Sequence, residues 1–205
     1  MASKGFDRIS SVYDVLVRLV FGKSIVRAQR KFLNRIEDSS TVLILGGGTG
    51  RIVVDLLKTK PSCKVWYIDV SSKMIERSKN KIKNSEQVHF ICGTENNIPP
   101  EIKFDAVITN FYLDMFSDHS LKVVVNKITI SLKQNARWIA TDFVDEKKWW
   151  QQLMIGIMYT FFRVVCGIEA KQLPKWNSII CESGFNEIES CSSHKGFIKS
   201  ILYKN

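Results

Sequence analysis

The chain has 205 residues, of which 45% are hydrophobic and 24% are charged, and this composition excludes a disordered or collagen-like protein. A chain of this length can fold as one domain that buries about 70% of its unfolded surface. Its 30 Lys and Arg against 20 Asp and Glu give a net charge of +10, which favours an anionic partner without identifying it.

Three sequence features predict a cytoplasmic location. The five cysteines form an odd set without a C-x-x-C pair, which suggests neither a disulfide framework nor a thiolate zinc site. Residues 1–8 place charges on both sides of a single Phe and lack the apolar run of a signal peptide. The most lipophilic stretch has 14 uncharged residues between Lys148 and Arg163, whereas a spanning helix needs about 20 apolar residues.

Residues 11–36 carry an apolar stripe that predicts one or two helices. The other face is cationic, with no acidic residue between Asp14 and Glu37. Such a face contacts an anionic membrane in some peripheral proteins, and in others it is the solvated side of a packed helix. The sequence leaves both interpretations open. The basic residues of this face are Arg18, Lys23, Arg27, Arg30, Lys31 and Arg35.

Beyond residue 40, short apolar runs alternate with stretches at helical spacing, a pattern typical of a parallel sheet covered by helices. The carboxyl-terminal segment predicts a hairpin of residues 185–191 and 196–203 across a Ser192-Ser193 turn. No repeat or linker divides the chain, so we expect one domain over residues 1–205. Strands are predicted at 41–45, 64–68, 88–91, 104–109 and 136–141, and helices at 51–57, 72–82 and 121–132.

The sharpest motif is the glycine run of residues 46–50, which joins the first predicted strand to a helix. Asp69 follows 19 residues after Gly50, at the end of the second strand, where a carboxylate can accept the hydroxyl hydrogens of a ribose. The dinucleotide fingerprint G-x-G-x-x-G would require glycine at position 51, which is Arg51, and a P-loop pattern is absent too. The motif therefore predicts an adenosine-type cofactor other than NAD or ATP.

These residues resemble the class I S-adenosylmethionine-dependent methyltransferases, and within them the ubiquinone/menaquinone biosynthesis branch. The similar segments are residues 6–14, 46–50, 68–74 and 104–107, and the resemblance covers most of the chain. It implies a Rossmann-like, doubly wound α/β fold, with a seven-stranded, mostly parallel sheet, a reversed terminal strand and helices on both faces. It also implies an amino-terminal helical lid (1–38), a helical insert over the substrate pocket (144–182), and S-adenosyl-L-methionine as cofactor, with S-adenosyl-L-homocysteine as product.

The resemblance further implies which residues contact the cofactor. The glycines of the loop would hold the methionine part, the acid after the second strand would hold the ribose, and two apolar side chains would pack on the adenine. The segment after the third strand would recognise the adenine amino edge, and a main-chain carbonyl at the end of the fourth would meet the cofactor's amino group. In that order the residues are Gly46, Gly48 and Gly50, then Asp69, then Val70 and Met74, then Thr94 and Glu95, and finally Asn110.

The chain departs from the family pattern at two positions. Ile44 stands where the family usually has an acidic residue, and Thr94 stands where it usually has Asp. Each lost polar contact could weaken cofactor binding by about 0.5 to 3 kcal/mol. A catalytically inactive relative that binds the cofactor and acts as a regulatory protein is therefore one alternative.

Methyl transfer needs few protein side chains, because the cofactor is already a strong methyl donor and the enzyme can act by alignment. A phenol or enol acceptor would benefit from a general base, for which Tyr13, Asp114, His119 and Asp142 are candidates, although each could be an ordinary surface polar group or helix cap. The histidines have no cysteine or carboxylate at ligand spacing, so no metal site is predicted.

The acceptor is expected to be a small, apolar or lipid-like molecule that undergoes O- or C-methylation. The basis is residues 149–162, a stretch rich in Met and aromatic residues that could line an adaptable pocket or be a core or dimer helix. An RNA or protein methyltransferase is the second alternative. Nucleic acid is disfavoured because Thr109–Leu113 lacks the proline turn expected after strand four in enzymes that methylate base amino groups.

Overall fold

One sheet organises the part of the chain that the computed structural model describes, which comprises residues 5, 7, 21–82, 86–168 and 170–205. Tyr13, Arg18 and the 6–14 motif, apart from Asp7, lie outside the described residues. The seven strands are β1 (Thr41–Leu45), β2 (Lys64–Asp69), β3 (Val88–Cys92), β4 (Phe104–Asn110), β5 (Leu132–Phe143), β6 (Asn186–Ser193) and β7 (Ile198–Lys204).

The strand order is β3-β2-β1-β4-β5-β7-β6. The first five strands are parallel, and β7 is antiparallel to both β5 and β6. The predicted mostly parallel sheet with a reversed terminal strand is confirmed. Because the chain changes direction across the sheet between β1 and β4, the crevice at the carboxyl ends of these strands is where such folds bind ligands.

The helices begin where the sequence supplies caps or glycine turns. The hydroxyl of Ser71 accepts a hydrogen bond from the Met74 N–H (3.2 Å), and that of Ser117 accepts one from the Ser120 N–H (3.2 Å). The two caps fix the starts of the helices that begin at Ser72 and Asp118. The helices are α1 (Ser24–Arg30), α2 (Arg51–Thr59), α3 (Ser72–Lys81), α4 (Asp118–Ser131), α5 (Trp149–Cys166) and α6 (Trp176–Glu182).

Apolar clusters cover both faces of the sheet. One contains Ile44 with Val53 and Leu56 of α2, and the other contains Leu43 and Trp138 with residues of α4 and α6. Ile44 is 1% exposed, so the position where the family usually has an acid is part of the core in this chain. A third cluster joins α1 to α5 through residues such as Ile25, Phe143 and Met154.

The predicted Ser192-Ser193 turn is wrong. Both serines belong to β6, and the hairpin pairs Ser193 with Ile198, so the connection consists of residues 194–197. His194, Lys195 and Gly196 adopt positive φ angles of 49°, 56° and 87°. Glycine tolerates this conformation best, and Gly196 is what allows the chain to reverse after the two serines.

Two basic residues of the cationic face before β1 form ion pairs. The guanidinium of Arg30 donates to both carboxylate oxygens of Asp55 (2.5 and 2.6 Å), and Arg35 forms an ion pair with Glu189. These acids come from α2 and β6, which the local sequence could not indicate. Lys23, Arg27 and Lys31 are exposed.

The helical insert predicted at 144–182 contains α5 and α6. At 18 residues, α5 extends beyond the predicted 149–162 stretch and ends at Gly167, whose φ of 66° terminates the helix. Within the described ranges, no helix combines the length and the apolarity that crossing a bilayer requires. The division into lid, core and insert stays a prediction.

Candidate active site

The glycine loop, residues 46–50, joins β1 to α2 at the carboxyl edge of the sheet. Its first, third and fifth residues have φ angles of 63°, 63° and 78°, which favour glycine. A Cβ at Gly50 would lie 2.7 Å from the Ser78 hydroxyl, whereas a Cβ at Gly48 would meet no atom within 4 Å. The loop is therefore packed on its inner side and open at Gly48, where a ligand can approach the backbone.

Asp69 holds this loop from the end of β2. Its Oδ2 accepts a hydrogen bond from the Gly48 N–H (2.8 Å), and its Oδ1 accepts one from the Ser71 N–H (2.9 Å). Burial raises the pKa of Asp69 to about 6, although both N–H groups act in the opposite direction. Each carboxylate oxygen has a further lone pair, so the group can still accept hydrogen bonds from a ribose.

A tyrosine and a serine hold the same loop from below. The Tyr67 hydroxyl donates to the Gly48 carbonyl (2.7 Å), and the Ser78 hydroxyl also lies within hydrogen-bond distance of it (3.0 Å). Tyr67 and Ser78 are both buried. The loop is thus fixed in shape without a ligand.

The side chains predicted to surround the adenine lie beside Asp69 and after β3. Met74 is buried and Val70 is half-buried. Thr94 caps a short 3₁₀ turn, Glu95–Asn97, in which its hydroxyl accepts a hydrogen bond from the Asn96 N–H (3.3 Å). Thr94 therefore has a local role that the departure from the family's Asp did not reveal.

Tyr112 connects this region to the glycine loop, and sequence reasoning missed it. Its hydroxyl donates to a carboxylate oxygen of Glu95 (2.9 Å), and its ring lies 2.7 Å from where a Cβ at Gly46 would stand. The aromatic residue two positions after Asn110 was the available signal, because a residue just past β4 must face the same crevice.

Asn110, the last residue of β4, is buried and has both side-chain polar atoms without a hydrogen-bond partner among the described residues. The next residue, Phe111, has a φ of 51°, an uncommon conformation for a bulky side chain. Strain of this kind concentrates at functional sites. The end of β4 therefore combines an unsatisfied amide with a strained backbone.

Asp114 and Asp142, both named as general-base candidates, are brought together at the ends of β4 and β5. Asp142 is fully buried, and its oxygens accept hydrogen bonds from the N–H groups of Leu113 (3.0 Å), Asp114 (3.3 Å) and Phe143 (2.8 Å). Asp114 Oδ1 is buried and has no hydrogen-bond partner within the described ranges.

Burial raises the pKa of both carboxyl groups of this pair. It raises that of Asp114 to about 7, and together with repulsion from Asp114 it raises that of Asp142 well above its usual range. The two groups therefore cannot both be fully ionised at neutral pH. Asp142 fixes the backbone of the turn that carries Asp114.

A cleft with a mainly apolar lining opens next to this pair, under α5. The hydroxyl of Tyr159 donates to the Asp114 carbonyl oxygen (2.8 Å) and closes one side of the cleft. The rings of Phe111 and Phe143 form another side, with centroids 4.7 Å apart. The cleft is lined by Phe111, Asp114, Met115, Phe143, Met158, Tyr159, Phe162 and Ile168.

The other predicted catalytic residues are not gathered there. His119 is exposed on the first turn of α4, and Tyr13 lies outside the described residues. Among the residues that the structure describes, no group of three or more His, Cys, Asp or Glu side chains is placed to hold a metal ion.

Comparison with known proteins agrees with this geometry. A family model described as a methyltransferase domain matches residues 42–135. The demethylmenaquinone methyltransferase of Thermotoga maritima is 29% identical over 164 residues, which cover 78% of this chain and 68% of that protein. These matches support a class I S-adenosylmethionine-dependent methyltransferase. The similarity to the menaquinone branch is modest.

One further relative and one solved structure match nearly the whole length of this chain. The carboxy-S-adenosyl-L-methionine synthase of Nautilia profundicola is 26% identical over 97% of this chain and 93% of its own. The N-methyltransferase NodS of Bradyrhizobium japonicum, solved with S-adenosyl-L-homocysteine, has a TM-score of 0.75 at 15% identity and covers 100% of this chain and 98% of its own. The cofactor is S-adenosyl-L-methionine.

The residues of the crevice fit this cofactor. The open backbone at Gly48 leaves room for an elongated ligand, and the buried amide of Asn110 lacks hydrogen-bond partners that a polar ligand could supply. Asp69, the last residue of β2, can accept further hydrogen bonds through the remaining lone pairs of its carboxylate.

Proposed function

We propose that the protein transfers the methyl group of S-adenosyl-L-methionine to a small, apolar or lipid-like acceptor, by O- or C-methylation. The observation that carries this proposal is the apolar cleft beside Asp114, which opens at the same sheet edge as the glycine loop. An acceptor in this cleft would lie next to a cofactor in the crevice.

We propose that the cofactor is held by the residues that the sequence indicated. Backbone groups at Gly46, Gly48 and Gly50 would contact the methionine part, and Asp69 would accept the ribose hydroxyls. The remaining contacts would be apolar packing on the adenine by Val70 and Met74, polar recognition of the adenine edge by Thr94 and Glu95, and contact with the cofactor's amino group by the Asn110 carbonyl.

The cofactor supplies an electrophilic methyl group when it is bound. The work of this chain is then to orient the acceptor and to exclude water. Phe111, Phe143 and Phe162 would hold an apolar ring, while Asp114 is the carboxyl group of the cleft lining. No metal is required for such an alignment mechanism.

Calorimetry tests the cofactor part of the proposal. S-Adenosyl-L-methionine and S-adenosyl-L-homocysteine should both give binding heat, and NADH should not compete, because Arg51 replaces the third glycine of the dinucleotide motif. An absence of heat for both adenosyl ligands at millimolar concentration, with heat for NADH, would contradict it. Tight cofactor binding without turnover on a broad acceptor panel would instead favour the regulatory alternative.

The names of the relatives support a small or lipid-like acceptor without fixing it. Demethylmenaquinone is the acceptor that the Thermotoga protein's name gives, and a malonyl group on acyl-carrier protein is the one named for the Ilyobacter polytropus relative. An RNA or protein acceptor is the alternative, and salt-sensitive RNA binding would favour it.

Peripheral contact with an anionic membrane is a further part of the proposal. The outer face of α5 exposes Trp149 (77%), Leu153 (58%), Ile157 (57%) and Val164 (81%). Lys23, Arg27 and Lys31 are exposed on or next to α1, which shares an apolar cluster with α5. Apolar and basic side chains side by side are typical of helices that lie in a membrane interface. Such contact would place the cleft near a lipid-like acceptor.

A further inference from the structure

The strongest unassigned feature is the unsatisfied carboxyl oxygen of Asp114. Buried polar atoms in folded proteins nearly always have a hydrogen-bond partner, yet no described residue supplies one to Asp114 Oδ1. Asp114 also lines the cleft under α5. The partner is therefore to be sought in a molecule that enters the cleft.

The backbone around Asp114 holds this oxygen in place. Asp142 accepts hydrogen bonds from the N–H groups of Leu113 and Asp114, and the Tyr159 hydroxyl donates to the Asp114 carbonyl oxygen. The turn is thus fixed from β5 on one side and from α5 on the other. We regard Asp142 and Tyr159 as positioning residues, because both act on the backbone of Asp114.

The described residues that line the cleft around this oxygen are mainly aromatic or apolar, and none of them is Lys, Arg or His. Asp142 on β5 and Tyr159 on α5 are the ionisable groups that contact the Asp114 turn within the described chain, and neither supplies a positive charge. Phe111, Phe143 and Phe162 provide apolar surface for a ring. A neutral hydroxyl group on an aromatic ring satisfies the oxygen at a lower desolvation cost than an ammonium group.

We propose that Asp114 accepts a hydrogen bond from the hydroxyl group of a phenol-type acceptor, whose ring lies among Phe111, Phe143 and Phe162. This inference rests on the proposed function and narrows it to O-methylation. When the oxygen gains the methyl group, its O–H bond breaks and the proton passes to the Asp114 carboxylate. The sulfonium donor becomes a neutral thioether, and the proton then leaves to water at the mouth of the cleft.

The test compares two probes that differ only in the hydroxyl group, 4-chlorophenol and 4-chloroanisole, titrated by NMR in the presence of S-adenosyl-L-homocysteine. The wild-type protein should prefer the phenol at least tenfold, because the ether leaves the buried oxygen unpaired. Asp114→Leu, which keeps the number of side-chain heavy atoms, should reduce the preference to below twofold. Asp38→Leu is the matched control and should leave it unchanged, since the Asp38 side chain is 75% exposed and does not line the cleft.

Three results would overturn the inference: equal binding of both probes, a phenol preference that Asp114→Leu retains, or tighter binding of 4-chlorobenzylamine than of the phenol. Calorimetric titration with S-adenosyl-L-homocysteine distinguishes the proposed function from the inference about Asp114. An absence of binding contradicts the proposed function. Binding together with any of these three results contradicts only the role of Asp114. If Asp114→Leu does not fold, Asp114→Asn replaces it and should lower the preference at least threefold.

Discussion

The two sides of the crevice differ in how completely their polar groups are satisfied. On the glycine-loop side, Asp69, Tyr67 and Ser78 have partners that fix the loop. On the β4–β5 side, Asn110 and Asp114 have polar atoms that lack partners in the described part of the chain. The polar groups of the first side are satisfied without a ligand, whereas the second side has buried polar atoms that a ligand could satisfy.

The largest effect expected from this difference is a loss of stability as the pH rises. Asp114 and Asp142 keep protons in the folded state that the unfolded chain releases above a pKa of about 3.9, so the free energy of unfolding falls as the pH rises toward 7. Asp69 contributes in the same direction up to a pH of about 6. The proton held by Asp114 alone should make the free energy of unfolding in urea about 3 kcal/mol lower at pH 8 than at pH 5, and Asp142 and Asp69 add to this difference.

Asp114→Asn should flatten this dependence, because the variant removes the group that titrates near neutrality. Asp38→Asn is the control, since the Asp38 side chain is 75% exposed. A wild-type protein that is equally stable at both pH values, or more stable at pH 8, would show that the acidic pair is ionised in the folded state.

The next largest effect is expected on cofactor affinity, at the glycine-loop side of the crevice. Asp69→Ala should weaken binding of S-adenosyl-L-homocysteine by about 1.5 to 3 kcal/mol, because it removes the ribose acceptor and also the acceptor of the Gly48 N–H. Calorimetry measures the change. Asp55→Ala, which removes the acid of α2 that pairs with Arg30 of α1, should leave the affinity unchanged. Equal losses in both variants would place the ribose elsewhere.

A smaller effect is expected on α5, whose inner face lines the cleft. Met158→Gln should lower acceptor turnover about tenfold, which is about 1.4 kcal/mol, and should leave cofactor affinity within about threefold, because remote contacts position the acceptor. Leu153→Gln, on the exposed face, is the control and should leave turnover in solution unchanged. Equal turnover in both variants would remove α5 from the acceptor site.

The weakest interaction is the proposed membrane contact. The protein should sediment with anionic vesicles and not with neutral ones, and 0.5 M salt should release it, because exposed charges are screened at that ionic strength. Leu153→Gln should associate with anionic vesicles more weakly than the wild-type protein, because it removes exposed apolar surface. Equal recovery with both vesicle types, or none with either, would exclude an electrostatic contact.

The sequence predicted the sheet and the glycine loop because both depend on local patterns. Apolar runs of four to six residues and glycines at a strand end specify their own conformation. The pairing of Arg30 with Asp55 could not be predicted, because the two residues lie on different helices that meet only in the folded chain. The 194–197 connection depended on the register of β6 and β7, which alternation alone leaves ambiguous by a residue or two.

In the candidate site, too, the residues marked by a local pattern could be predicted, and those defined by contacts in the folded chain could not. Asp69 follows a strand at a recognisable spacing from the loop, whereas Tyr112 carried no motif and was found only by its contact with Gly46 and Glu95. Asp114 and Asp142 were named on position alone. Their different roles, one unsatisfied and one fully bonded to backbone, required the hydrogen bonds.

The unsatisfied oxygen of Asp114 also has a consequence for protein engineering. A buried polar atom without a partner lowers stability, so replacing this residue with an apolar one of similar size should make the ligand-free protein harder to unfold. Selection of variants for heat resistance alone would therefore favour the loss of Asp114. A screen that includes an acceptor would retain it, so the two selections would produce opposite outcomes at this single position.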